Sequence, residues 1–373
     1  MRLDAAMILT LVAMAIAWLA WQTREPAAPA VERLNVQGLM STGDEEFRRV
    51  TGPVPMSFPE DHALHPGYQY EWWYFTGNLD TAAGERLGYQ FTLFRFASPP
   101  GEELDSAWAT NATWMAHLAL SDSRHSRFYQ AERFARSALE LAGADQDRWW
   151  LRDWEVIRRG DSWHLNAERD DFALALELTA TRPLVLQGDA GYSRKGPDPG
   201  NASRYYSITR LATSGTIRIG DETLPVDGLS WLDREWGSNA LGEDQVGWDW
   251  FALHLDDGRD VMLARIRYVD GTTSEWSYGQ LVFPDGSHRY LAAEEYEATV
   301  SRWWTDANGS RWPLDWDIEI PSADLDIQTR AVFDNQHWQG SVDYWEGMID
   351  VINTADGRKI GRGYLELSGY GEG

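Results

Sequence analysis

The stretch GLSWLDREWG, Gly228 to Gly237, places two carboxylic acids, Asp233 and Glu235, among two indoles. If it is a strand, side chains alternate between faces, so Trp231, Asp233 and Glu235 point one way and Leu232, Arg234 and Trp236 the other. Acids two residues apart in a strand lie about 6.5 Å apart. At an effective dielectric near 20, two charges at that distance repel by roughly 2.5 kcal/mol, near two pKa units, and in open water by about a quarter of that. Burial therefore decides the chemistry. A buried pair holds a proton near neutral pH, as general acid catalysis needs. An exposed pair is a solvated strand face, or a partner for Arg204, Arg210 or Arg234. Asp233 and Glu235 are the catalytic candidates, and Trp231 is a wall of the cavity they would line.

Other segments supply groups of the same kind. In EWWYF, Glu71 and Trp73 share a strand face expected to look into that cavity, and in WMAHLALSD, His117 alternates with apolar neighbours. A lone buried His is more often structural than catalytic. Tyr205 in RYYSITRL, Trp248 and Trp250 in GWDWFALHLDDG, and Tyr344, Trp345 and Glu346 in DYWEGM add aromatic and acidic groups. The expected ligand-binding set is Trp231, Glu71, Trp73, His117, Tyr205, Trp248 and Trp250. His62 and His65 with Asp61 and Glu71 form a loop His-x-x-His without a third fixed ligand, so no metal site is expected. No GxSxG elbow, phosphate loop or dinucleotide fingerprint occurs, so neither a serine hydrolase nor a nucleotide cofactor has support. The absence of cysteine excludes disulfides, thiolate ligands and a thiol nucleophile.

The elements that must hold these residues read as strands. Short aromatic, alternating runs broken by turn signals recur from Tyr70 to Gly220, and a second series runs from Gly247 to Tyr370. Aromatic residues make up 13% of the chain, with 21 Trp, which favours strands. The absence of a βαβ rhythm points to antiparallel sandwiches or barrels. Gln130 to Gly143 reads as a helix or an extended loop. The two series look duplicated. Each opens on a Trp-rich strand leading to an acidic Gly turn, EWWYFTGNLDTAAG and GWDWFALHLDDG, and GLSWLDREWG near the end of the first matches GRGYLELSGYG, pairing Asp233 with Glu366. WLDREW would close the first unit and GWDWFALHLDDG open the second.

A net charge of −25 over 373 residues excludes the phosphate-neutralising surface of a nucleic-acid binder. Ala5 to Thr23 carries no charge and as a helix reaches about 28 Å, close to a bilayer's hydrocarbon thickness. Residues 1–24 are therefore expected to be a membrane anchor or, with Ala28-Pro29-Ala30 as cleavage site, a signal peptide. Either places the body in the cell envelope, exported, with 25–55 as a tether and the two units spanning 56–238 and 239–373.

The successive segments DHALHPGYQYEWWYFTGNL, MAHLALSD, RYYSITRL, WLDREWGS, VGWDWFALHLDDG, DYWEGM and GRGYLELSGY resemble the signatures of the AttH and hydroxyneurosporene synthase (carotenoid hydratase, CrtC-type) family of lipocalin-like proteins, from about Phe58 to Tyr370. The resemblance implies an all-β fold of two lipocalin-like antiparallel β-barrels in tandem, after the N-terminal hydrophobic helix. It further implies hydration of an isolated C=C bond without a cofactor in the carotenoid branch, with the acid of the WLD motif, here Asp233, implicated. AttH-like members are exported proteins commonly encoded with an ABC transporter, and the N-terminal segment resembles that branch. Two readings follow: acid-catalysed hydration or isomerisation of an apolar small molecule such as a lipid or isoprenoid, or its carriage beside a transporter. A glycan-binding sandwich using the acid pair and Trp platforms is a third class.

Overall fold

A computed structural model describes residues 46–98, 110–239, 241–242 and 244–371. The expected N-terminal helix at Ala5 to Thr23 and most of the tether lie outside the described residues. Among those described, no helix is long and apolar enough to cross a membrane. The described residues belong to one compact unit.

The fold is nearly all-β and lipocalin-like, made of two curled antiparallel sheets. The first contains β1 (Tyr70–Thr81), β2 (Arg86–Ala97), β3 (Ala112–Asp122), β4 (Arg127–Arg136), β5 (Ala142–Ala144), β6 (Arg148–Leu151), β7 (Trp154–Arg159), β8 (Ser162–Glu168), β9 (Phe172–Ala180), β10 (Val185–Leu186), β11 (Tyr192–Arg194), β12 (Ala202–Ile219) and β13 (Glu222–Asn239). The second contains β14 (Gln245–Leu255), β15 (Asp260–Tyr268), β16 (Tyr278–Val282), β17 (His288–Ala292), β18 (Glu297–Thr305), β19 (Arg311–Ile320), β20 (Leu325–Ala331), β21 (His337–Gln339), β22 (Asp343–Asn353) and β23 (Lys359–Ser368). The strand orders are β4-β3-β2-β1-β13-β12-β9-β8-β7-β6-β5 and β17-β16-β15-β14-β23-β22-β20-β19-β18. In each sheet the first strand pairs with the last, so β1 lies against β13 and β14 against β23. WLDREW thus sits in the last strand of the first sheet, and GWDWFALHL in the first strand of the second.

Burial patterns show why the central strands read as aromatic runs without polar alternation. Nearly every residue of β1 and β14 is buried, whereas β9 alternates buried with more open positions and β18 alternates half-buried with exposed ones. A strand covered on one face alternates, and one covered on both has no polar face. One face of β1 (Trp73, Phe75, Leu79) and of β13 (Leu232) joins the core inside the first sheet, and Phe251, Leu253 and Leu365 join the core inside the second. The opposite faces meet each other. Tyr74, Tyr205 and Trp231 pack with Trp250, Met262, Met348 and Tyr364 of the other sheet.

The seam is latched at several points. Arg86 of β2 pairs with Asp350 of β22 and donates to the Ile349 carbonyl at 2.8 Å, and Arg362 of β23 pairs with Asp80 of β1 at 2.5 Å. Elsewhere, buried Asp260 of β15 accepts from Arg182 at 3.0 Å, from Thr209 at 2.9 Å and from Arg210. Gly88 of β2 permits close approach, since a Cβ there would lie 2.2 Å from Met348 Cγ.

The segment Gln130 to Gly143 is neither helix nor loop through Arg136. It belongs to β4, paired with β3 along its whole length. Tyr129, Ala131 and Ala135 fall on one strand face and pack on the first core, so a period of two overrides the helical propensity of Gln, Ala, Glu and Arg.

Candidate active site

A cavity lies between the sheets, not inside either barrel. Its walls include Trp72, Tyr74, Phe94, Met115, His117 and Tyr205 from the first sheet, and Trp248, Trp250, Tyr278, Tyr344, Glu346 and Glu366 from the second. Asp233, Glu235 and Lys195 also line it, and its volume is about 120 Å³. It is smaller than an engineered apolar cavity of about 150 Å³ that admits benzene, a size that suits a short unsaturated segment. Both sheets contribute acids to the gap, Asp233 and Glu235 from the first and Glu346 and Glu366 from the second.

The strand register explains which residues arrive there. Tyr74 stands opposite Asp233 on the neighbouring strand, while Trp73 stands opposite Arg234 and Glu71 opposite Trp236. Glu71 and Trp73 thus face away from the cavity, and their place in the ligand-binding set is corrected. Glu71 is instead the centre of a buried ion cluster, accepting from Arg234 at 2.5 Å and Arg95 at 3.1 Å, which with His65 hold its carboxyl down to about 2 against the opposing effect of burial. Trp73 packs in the first core under the Arg234 guanidinium, 3.8 Å above its ring. One-residue parity separates them from Trp72 and Tyr74, which do line the cavity.

Asp233 is 3% exposed. Its Oδ1 accepts from Trp231 Nε1 at 2.7 Å and from Ser207 Oγ at 2.5 Å, and its Oδ2 meets the Tyr205 hydroxyl at 2.5 Å. Trp250 Nε1 donates to that hydroxyl at 3.2 Å. Trp231 packs behind Asp233 and orients it. Burial pushes the Asp233 carboxyl up to about 7, outweighing the three hydrogen bonds, with Glu235 adding a smaller push. Desolvation, more than acid–acid repulsion, thus sets its proton affinity. Lys195 explains why repulsion is minor. Its Nζ lies 2.5 Å from Glu235 Oε1, which also accepts from Ser203, so Glu235 is engaged by a salt bridge and a hydrogen bond.

Two further acids face Asp233's side of the cavity from the other sheet. Glu346 and Glu366 stand directly opposite each other on β22 and β23. Tyr74 donates to Glu346, and Trp248 Nε1 donates to Glu366 at 2.8 Å. Burial, and for Glu346 the facing Glu366, raises the first well above the carboxylate range; burial lifts Glu366 to about 7. Like charges directly opposite across a ladder are unfavourable, so this pair retains a proton.

Sequence reading named Tyr344 and Glu346 only as similar groups, and reached Glu366 only through the duplication. Lys195, in the loop SRKGPDPG, carries no chemical signal in the sequence, because its role depends on folding back over β13. His117, Tyr205, Trp248 and Trp250 all line the cavity. Among the described residues no His/Asp/Glu cluster is arranged to hold a metal ion.

The chain is similar to several known proteins. A family model described as AttH-like matches residues 49–370. The dehydratase asqC of Emericella nidulans is 30% identical over 181 residues, 43% of this chain and 46% of that protein. Kievitone hydratase of Fusarium solani subsp. phaseoli is 22% identical over 210 residues, 54% of this chain and 58% of that protein. The matches thus span about half the length of these curated relatives. A solved structure of a protein named as an AttH from Nitrosomonas europaea superposes with a TM-score of 0.79 at 34% identity, covering 87% of this chain and 100% of that one.

Proposed function

The chain belongs to the AttH-like family, and from that premise we propose that it adds water to, or removes it from, a carbon–carbon double bond of an apolar small molecule, with Asp233 as the acid. The observation that carries this reading is a carboxyl 3% exposed, held by Trp231, Ser207 and Tyr205 and retaining its proton to about pH 7, on the wall of an aromatic cavity. A general acid is most effective when its pKa lies near the working pH. In the hydration direction Asp233 Oδ2 gives its proton to one alkene carbon. The cation left on the other carbon is stabilised by aromatic faces such as Trp250, which packs edge-on to Trp231 and Tyr74. Water then bonds to that carbon, its surplus proton passes to the Glu346 and Glu366 pair, and Asp233 takes a proton from solvent before the next turnover. Dehydration runs the same steps in reverse. The names of the two curated relatives, a dehydratase and a hydratase, support this class of reaction.

Export and membrane attachment through residues 1–24 belong to the same proposal, as does carriage of the molecule beside an ABC transporter as the rival use of the cavity. The test is incubation of the full chain with a panel of isoprenoid and phenolic alkenes, and of the matching tertiary alcohols, in ¹⁸O-water. Enzyme-dependent gain or exchange of labelled hydroxyl that Asp233→Asn abolishes is expected. A wild-type protein that returns every compound unlabelled, yet leaves its membrane with an unmodified apolar ligand bound, would sink the enzyme reading in favour of the carrier.

A further inference from the structure

One buried titratable residue of the cavity takes no part in the steps above. His117 is fully buried, stacked on Trp338 with ring centroids 4.2 Å apart and packed edge-on against Phe94 at 5.1 Å. Both of its ring nitrogens are bonded. Nδ1 meets the Tyr344 hydroxyl at 2.6 Å, and Nε2 meets Glu132 Oε1 at 2.9 Å. Tyr344 in turn shares a strand face with Glu346, two residues further along β22, and lines the cavity beside it. At the other end the Glu132 side chain is 20% exposed, and it is fixed by the Ser341 hydroxyl at 2.5 Å and the Ser341 backbone N–H at 3.1 Å. A line of polar groups, hydrogen-bonded from Tyr344 outward, therefore runs from the cavity acid Glu346 past Tyr344 and His117 to a carboxylate in contact with solvent.

We infer that this line is a proton relay through which Glu346 exchanges its proton with bulk water while the cavity is occupied. The inference rests on the reading of Glu346 and Glu366 as the acceptor of the water's proton. After each hydration that pair holds one proton more than at the start, and bound product covers it. The relay returns the proton to solvent in three concerted shifts. The Glu346 O–H proton moves to Tyr344 Oη, the Tyr344 proton to His117 Nδ1, and the His117 Nε2 proton to Glu132, which releases it to water. One proton leaves Glu346 and one reaches solvent. The imidazole changes tautomer and never needs to be an imidazolium; the line stays bonded until Glu132 releases the proton to water, and return of the ring to its Nε2–H form and of the Tyr344 hydroxyl to its starting orientation then resets it. This suits the surroundings: burial lowers the proton affinity of His117, outweighing the bonded Glu132, so the neutral ring with one donor and one acceptor nitrogen is the resting form. Glu132, where burial opposes the bonds from His117 and Ser341, is held below the ordinary carboxylate range and so gives up the proton readily. For dehydration the shifts run inward.

The test needs no substrate. Full-length protein at neutral pH is mixed rapidly into D₂O, and the stretch of its protonated buried carboxyls is followed by infrared spectroscopy. The Glu346 band is the one that Glu346→Gln removes, and the Asp233 band the one that Asp233→Asn removes. Expected is a tenfold or greater slowing of deuterium entry at the Glu346 band in Glu132→Gln and in His117→Phe, with the Asp233 band exchanging at its wild-type rate. Because His117→Phe disturbs a packed site, the surface variant Glu132→Gln decides alone if the buried one does not fold. Wild-type exchange at the Glu346 band in Glu132→Gln would overturn the relay, and so would the absence of any carboxyl band that Glu346→Gln removes. No turnover is read, so either failure leaves acid catalysis by Asp233 untouched, and failure to find a substrate leaves the relay standing.

Discussion

Replacing Asp233 by Asn should make the protein more stable at alkaline pH while removing its acid. Burial pushes the native carboxyl up to about 7, against 3.8 for an unperturbed Asp. Its folded value is raised, so between about pH 4 and pH 7 the native state keeps a proton that the unfolded chain has released. The group's contribution to stability is therefore greatest below about pH 4, falls as pH rises through that window, and levels off above about 7. About three pH units at roughly 1.36 kcal/mol each amount to about 4 kcal/mol lost from acid to alkaline solution. Asn is close in shape to the protonated acid. Its Oδ1 can accept from Trp231 and Ser207, which bond Asp233 Oδ1 at 2.7 and 2.5 Å, and its amide can donate to Tyr205 as a carboxylic acid would.

The variant's advantage over wild type should therefore grow from near zero at pH 4 to about 4 kcal/mol at pH 8, which in a chain of this size corresponds to a Tm gap of about 5–10 °C. Urea unfolding of both proteins at intervals from pH 4 to 9 measures it. Glu346 and Glu366 titrate in both proteins, so their effects largely cancel in the difference. A difference that stays constant over this range refutes the reasoning, because an Asp233 that ionises in the ordinary range has no proton to give at neutrality.

Lys195→Met should take the salt-bridge partner from Glu235, 5% exposed, costing about 3–5 kcal/mol in urea unfolding at pH 8. Made in both the wild-type and the Asp233→Asn background, it should also move the midpoint of their stability difference to higher pH, since the nearby negative charge is no longer offset. Gly88→Ala should cost about 1–3 kcal/mol by overpacking against Met348, and Met348→Ala in the same chain should restore part of the loss. A neutral Gly88→Ala would mean that the sheets do not approach as described.

How much of this was legible in the sequence follows from what each signal depends on. The all-β class and the strand WLDREW were readable because period-two patterning and turn residues are local. The neighbourhood of Asp233 was readable in part, since strand parity puts Trp231 on its face, and the indole does donate to the acid. Parity also misled. Glu71 and Trp73 share a face, as expected, but which face looks at the cavity is set by the pairing of β1 with β13, one residue out of phase with that choice. For a strand buried on both sides, hydrophobicity does not distinguish barrel interior from seam. Lys195 and the Tyr344, His117 and Glu132 line depend on contacts between residues 15 to 227 positions apart, which no short-range pattern encodes.

The register carries the last step. On the neighbouring strands, Tyr74 opposes Asp233 in the first sheet as Trp250 opposes Glu366 in the second, and on the other side Ser207 opposes Asp233 as Glu346 opposes Glu366. The same ladder position thus holds an acid facing a hydroxyl in one unit and an acid facing an acid in the other. A hydroxyl donates to its neighbour and leaves a single carboxyl whose proton is governed by desolvation, as at Asp233. A second carboxyl forces the two to share a proton, as at Glu346 and Glu366. Hydration needs a group that gives a proton and another that takes one on opposite sides of a small apolar space. Two corresponding strand pairs, facing each other across the seam with a hydroxyl beside the acid in one and a second carboxyl in the other, match what the proposed reaction requires.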